Sequence, residues 1–259
     1  MPEPVAPSSP DRTLILIGAS NVTFNLPDIW QGLSADRPTR LLVAAGHGRS
    51  YGIPNTVMGR TLPSLLECGL WKTLSDLPAT PPIPALITDI GNDLLYGASP
   101  ETIAGWVSEC ADRFLECGCR PAVTMLPFDS LRRMSRWRYH FFRRVLFPAS
   151  RLSFENALRF SEELNHRIEQ LASVRKLTTL RPQSEWYGID PIHFRRRVRD
   201  SAWTNYLSAL DETARAEKCS CFRATRIWKH KAAEIIRRGK RLETPQPVLN
   251  HAGSELWLF

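Results

Sequence analysis

Ser20, Asp190 and His193 are the residues of this chain whose types and spacing could do chemistry together. Ser20 closes the break Gly18-Ala19-Ser20 and is followed by Asn21, directly after the apolar run Thr13–Ile17. Asp190-Pro191-Ile192-His193 sets a carboxylate three residues before an imidazole. A serine hydroxyl is a weak nucleophile until a base takes its proton, and the base must be held in one orientation by a third group. A serine at a strand end, with an Asp and a His at helical spacing, therefore fits nucleophilic acyl transfer. His47 is a rival base, but no Asp or Glu stands at a short fixed spacing to orient it, and the other histidines lack such a partner too. Each residue also has a plain reading. Ser20 could be a turn or N-cap residue, Asp190 an N-cap before Pro191, and His193 a surface histidine.

The elements that must position these groups alternate. Thr13–Ile17, Arg40–Ala45, Pro84–Ile90, Ala122–Leu126 and, more weakly, Lys176–Leu180 are short apolar runs. All but the last end at Gly or Pro, as strands buried on both faces do. Helical patterns lie between them at Pro27–Leu33, Thr56–Leu77 (broken by Pro63), Ser99–Cys117, Ser153–Ser173 and Pro191–Glu217. Alternating β and α elements imply a parallel sheet covered by helices on both sides. The site of such a fold lies outside the carboxyl ends of the strands. Ser20, Gly46/Gly48 and Asn92 each follow an expected strand, so they converge on one edge. Asn92 could otherwise be only a loop residue.

Four motifs over residues 13–197 resemble those of the SGNH hydrolases, also called GDSL esterases/lipases. The family's Gly-Asp-Ser is matched by Gly18-Ala19-Ser20, and its oxyanion-hole glycine by Ala45-Gly46-His47-Gly48-Arg49. Its Gly-x-Asn-Asp is matched by Asp89-Ile90-Gly91-Asn92-Asp93, and its Asp-x-x-His by Asp190 to His193. The resemblance implies a flavodoxin-like, three-layer α/β/α sandwich, here with a five-stranded parallel sheet. It implies cleavage of carboxylic esters through an acyl-enzyme on Ser20, of the esterase/lipase or carbohydrate deacetylase type, on a small-molecule, carbohydrate or lipid ester. His193 would be the general base and Asp190 its orienting carboxylate. The Ser20 and Gly48 N–H groups and the Asn92 amide would hold the oxyanion, with Gly46 the alternative to Gly48. One such donor lost costs about 3–4 kcal/mol of barrier. Two departures stand out: Ala19 replaces the family's Asp, and Gly91 directly precedes Asn92 instead of lying two before it. An acyltransferase on the same residues, or a non-catalytic relative binding an anionic partner, would share these motifs.

Composition sets the remaining expectations. At 259 residues and 43% hydrophobic the chain can build a sizeable core. Met1–Arg12 is rich in Pro and Ser and has no apolar h-region, so it reads as a disordered leader on a cytoplasmic protein. Residues 13–222 read as the α/β domain. Residues 1–130 carry 8 basic and 13 acidic residues, and residues 131–259 carry 26 and 13. The basic half is either a solvated face or a contact for an anionic surface. Leu131–Arg151, with seven arginines and five aromatics, should overhang the site as a lid or entrance wall. Arg223–Arg241 reads as a basic amphipathic helix outside the core, with Ile227, Trp228, Ile235 and Ile236 as its stripe and a tail to Phe259. Cys117/Cys119 and Cys219/Cys221 could meet as a metal site or a disulfide, but reduced structural cysteines fit better. No dinucleotide or phosphate-loop fingerprint and no nucleic-acid motif is present, so no cofactor, metal or nucleic acid is expected.

Overall fold

The computed structural model describes residues 10–57, 59–77 and 82–259. Most of the expected leader lies outside them. The chain opens with β1 (Arg12–Ile17), α1 (Ser20–Asp36) and β2 (Thr39–Ala44). A small hairpin follows, β3 (Asn55–Val57) and β4 (Arg60–Leu62), and then α2 (Leu70–Ser75). The alternation resumes with β5 (Ile83–Ile87), the one-turn α3 (Asn92–Leu95), α4 (Pro100–Glu116) and β6 (Cys119–Thr124). Three helices, α5 (Phe128–Arg132), α6 (Arg136–Leu146) and α7 (Phe154–Arg175), lead to β7 (Thr178–Leu180). Then come α8 (Arg199–Leu210), α9 (Cys221–Trp228) and two hairpins, β8 (Glu234–Arg237) with β9 (Lys240–Glu243), and β10 (Leu249–His251) with β11 (Ser254–Leu258).

The main sheet has the order β10-β11-β2-β1-β5-β6-β7, and every neighbouring pair in it is parallel except β10–β11. Side chains alternate between its faces, as the strand period requires. Ile15 and Ile17 pack with Ile103 and Phe114 of α4 and Leu164 of α7, whereas Leu14 and Leu16 pack with Ile29 of α1 and Trp203 of α8. The result is helix, sheet and helix in three layers. No helix among the described residues is long and apolar enough to cross a membrane.

The sheet is wider than the five strands read from the sequence, because the tail joins it. β11 runs parallel to β2, Leu256 beside Leu41, and Leu256 is fully buried. Arg40 pairs with Glu255 at 2.7 Å, and the buried Arg49 side chain donates to the Phe259 carbonyl. Residues 223–259 are thus woven into the α/β body and do not form one appended helix. Only α9 is helical there. Arg238 and Gly239, with φ of 51° and 75°, make the two-residue turn that folds β8 onto β9. Thr56–Leu77 likewise opens as a hairpin, with Gly59 at φ 72° in its turn, and only α2 is helical. These two hairpins build a second antiparallel sheet, β3-β4-β8-β9.

Two helix boundaries also differ. The expected Pro191–Glu217 helix begins only at Arg199. Pro27, read as a helix start, lies inside α1, which begins at Ser20. Proline has no N–H to give the carbonyl four residues back. The Thr23 carbonyl accepts the Trp228 indole N–H instead, at 3.1 Å, and this ties α9 to α1.

Candidate active site

Ser20, His193 and Asp190 form one hydrogen-bonded line. The Ser20 hydroxyl lies 2.9 Å from His193 Nε2, and His193 Nδ1 lies 2.6 Å from Asp190 Oδ2. With Nδ1–H donating to the carboxylate, Nε2 is free to accept the serine proton. Asp190 closes a turn of its own, since its Oδ1 accepts the Ile192 and His193 backbone N–H groups at 2.9 and 3.3 Å. An Asx-type turn, and not the first turn of a helix, therefore sets the three-residue spacing. Burial pushes the Asp190 carboxyl up, but the bond and charge of His193 and the two amides outweigh it and hold it below the usual range. Asp190 is thus an anion at neutral pH.

The turn carrying Ser20 is held by Asp89, whose part the sequence did not reveal. Its Oδ2 accepts the Ala19 and Asn21 N–H groups, both at 3.0 Å, and its Oδ1 accepts the Asn21 side-chain amide at 2.9 Å. A carboxylate on the free amides at the start of α1 is well placed for the helix dipole. It supplies support that Ala19 cannot give. Asp89 reaches this position with φ at 60°, a left-handed conformation that Asp tolerates better than most residues. Asn21 then ties the two halves of the site together. Its amide donates to the Ile192 carbonyl at 2.9 Å, and its Oδ1 accepts the Phe194 N–H at 3.1 Å. The only sequence signal for either residue is its place in a motif.

Asn92 opens α3 just beyond β5, the neighbour of β1. It is 5% exposed, and its Nδ2 is buried without a hydrogen-bond partner. An unpartnered buried donor is costly, typically about 1–3 kcal/mol, so this amide is free to receive an acceptor from a ligand. Gly48 has φ of 62°, and a Cβ there would stand 2.5 Å from the Tyr96 hydroxyl. Its carbonyl accepts that hydroxyl at 2.6 Å and also the Asn55 amide, which fixes the peptide in place. Gly46 is buried against Leu62 of β4.

Three hollows lie near the line, and one of them, of about 470 Å³, is lined by Asp190 and His193 themselves with Arg195 and Arg199. A cavity of about 130 Å³ is lined by Asn21, Asn92 and Ile192, and otherwise mainly by apolar side chains such as Leu94, Leu126 and Phe142. α6 forms part of this wall through Tyr139, Phe142 and Arg143. Arg138 of α6 donates to the Gly188 and Ile189 carbonyls at 3.0 and 2.8 Å, next to Asp190. The Leu131–Arg151 aromatics divide: Tyr139 and Phe147 are buried, and Trp137 and Phe141 face solvent. The third is a groove of about 570 Å³ between α1, α9 and the second sheet. His47 and Phe24 line it, and the Phe24 ring packs on His47 at 4.6 Å and edge-on to His193 at 5.1 Å. Burial, then the charges of Arg60 and His193, push the His47 imidazole down, so it stays neutral. No carboxylate bonds it among the described residues.

Cys110 and Cys119 are buried in the core beneath the sheet, and burial raises both thiols. The Cys221 side chain lies outside the described residues. Among those described, no three His, Cys, Asp or Glu side chains gather as metal ligands.

No family model and no curated protein matches this chain. Solved structures do. TesA aligns with a TM-score of 0.48 at 14% identity, over 78% of this chain and 99% of its own. A GDSL-like lipase from Bacteroides thetaiotaomicron VPI-5482 aligns with a TM-score of 0.47 at 14% identity, over 78% and 87%. A carbohydrate acetylesterase family member from Sinorhizobium meliloti aligns with a TM-score of 0.47 at 13% identity, over 77% and 98%. At such identities these alignments name no family, and the three-layer α/β/α fold rests on this chain's own sheet order and the helices packed on its two faces.

Proposed function

We propose that this protein is a serine ester hydrolase working through an acyl-enzyme on Ser20. The observation that carries this reading is the unbroken Ser20–His193–Asp190 hydrogen-bond line. Ser20 Oγ attacks the ester carbonyl carbon, and its proton passes to His193 Nε2. Asp190 holds the ring and stabilises the imidazolium. The carbonyl oxygen becomes an oxyanion and takes hydrogen bonds from the Ser20 and Gly48 N–H groups and the Asn92 amide. His193 returns the proton to the leaving oxygen as the C–O bond breaks. Water, deprotonated by His193, then attacks the acyl-enzyme and releases Ser20. The apolar cavity beside Asn92 takes the acyl group.

A fluorophosphonate probe and p-nitrophenyl esters test the reading. The wild type should be labelled stoichiometrically at Ser20 and should hydrolyse short acyl esters, and Ser20→Ala should do neither. An unlabelled wild type without esterase activity would leave a binding protein with an inert serine.

A further inference from the structure

The basic groove carries three cations and no counter-charge. Arg60, Lys231 and Arg237 line it, no Asp or Glu does, and none of the three makes an ion pair among the described residues. The histidines in it do not compensate. Burial and neighbouring arginines push His47 and His230 down, so both are neutral. Arg60 and Arg237 also stand directly opposite each other in the β4–β8 pairing. Like charges across an antiparallel pair repel, and a local rule broken without internal compensation is a mark of a functional site. Two guanidinium groups on facing strands, with an ammonium nearby, suit the oxygens of a phosphate.

The reaction decides which half of a substrate reaches this groove. His193 must return its proton to the leaving oxygen, so the leaving group lies on the His193 side of the carbonyl. Phe24, packed edge-on to His193, and His47 line the near end of the groove, whereas Asn92 lines the separate apolar cavity. We propose that the groove formed by Arg60, Lys231 and Arg237 binds the alcohol half of the substrate, and that this half carries a phosphate group. The inference rests on the ester hydrolase reading above.

Two butyryl esters test it, one of 2-hydroxyethyl phosphate and one of 2-methoxyethanol. The wild type should favour the phosphate ester by about tenfold or more in kcat/KM at low salt, and the preference should shrink as salt is added. Arg60→Gln and Arg237→Gln should each cut that ratio several-fold, and Arg60→Lys should restore part of it. A wild-type ratio near one, or a ratio unchanged in the double Gln variant, overturns the proposal. If neither ester turns over and the fluorophosphonate leaves Ser20 unlabelled, it is the hydrolase reading that has failed. Calorimetric titration with phenyl phosphate then still decides about the groove. Binding by the wild type that is lost in the double Gln variant supports the site, and no binding, or equal binding by both, overturns it.

Discussion

Beside Asn21 and Asn92 is a small apolar cavity, walled by the ends of β5 and β6 and by α6. Beside Phe24 and His47 is a wider groove, walled by α1, α9 and the second sheet, in which every formal charge is positive. The first is shaped from the sandwich and the insert after β6. The second joins a hairpin from the first quarter of the chain to one near its end. On the proposed reading the two therefore select by different physics. An apolar cavity discriminates by fit, at about 1–3 kcal/mol per methylene, and is insensitive to salt. A cationic groove discriminates by sign of charge and weakens as salt screens it. In the proposed reaction one nucleophile serves both, so acyl preference and head-group preference should vary independently.

The strongest way to break this comparison is to remove the shared centre. Ser20→Ala should lower kcat by about 10⁴ or more on neutral and phosphorylated esters alike, measured by steady-state hydrolysis. A loss confined to one substrate class would mean two centres. Asn92→Ala should lower kcat by roughly 10²–10³ with KM little changed, because the missing bond strengthens only in the transition state. A change mainly in KM would make Asn92 a binding residue of the cavity.

A pH experiment sharpens the cavity side. Asp93 follows Asn92, is fully buried and accepts the Tyr51 N–H at 3.0 Å. Burial raises its carboxyl to about 6, against the pull of Ser50 and the Tyr51 amide. A raised value means that the folded state holds the proton more tightly than the unfolded chain. The stability this gives is complete below about pH 4 and is lost as pH rises through about 6, a change of order 3 kcal/mol. Thermal melts should show wild type losing ground to Asp93→Asn between pH 4 and 7, with a constant gap above that. Parallel curves throughout would place the ionisation elsewhere. The smallest effect concerns acyl length. Ala157, which lines the cavity, is nearly buried. Ala157→Phe should shift the best acyl chain shorter and cut kcat/KM for the longer one by about tenfold, with the salt dependence of the phosphate ester intact. An altered salt dependence would mean that the two hollows are one.

The residues of the Ser20–His193–Asp190 line were legible because their signal is local. Ser20, Asp190 and His193 each sit in a run of four residues at a recognisable break, and Asn92 follows a strong strand. Asp89 and Asn21 were not legible as supports. Their bonds run between loops that only the parallel pairing of β1 with β5 brings together. The groove was invisible for a stronger version of the same reason. Ile227, Trp228, Ile235 and Ile236 fall at helical spacings, so a helix followed by a strand read as one long helix. The clue to the hairpin was Gly239, beside an arginine that also takes positive φ. That Arg60 would face Arg237 depends on long-range strand pairing, which local periodicity does not encode.

Pro27 has one more consequence. A proline inside α1 leaves the Thr23 carbonyl without its usual helical donor, and Trp228 occupies the vacancy. Residues 27 and 228 are therefore thermodynamically linked although they do not need to touch. Pro27→Ala would supply an N–H that competes with the indole for one carbonyl, so the cost of Trp228→Phe should be smaller in that background. The double-mutant cycle should be non-additive by about 0.5 kcal/mol or more. Evolution at position 27 is then constrained through the seat of α9, and a helix-strengthening substitution there would loosen the wall of the groove.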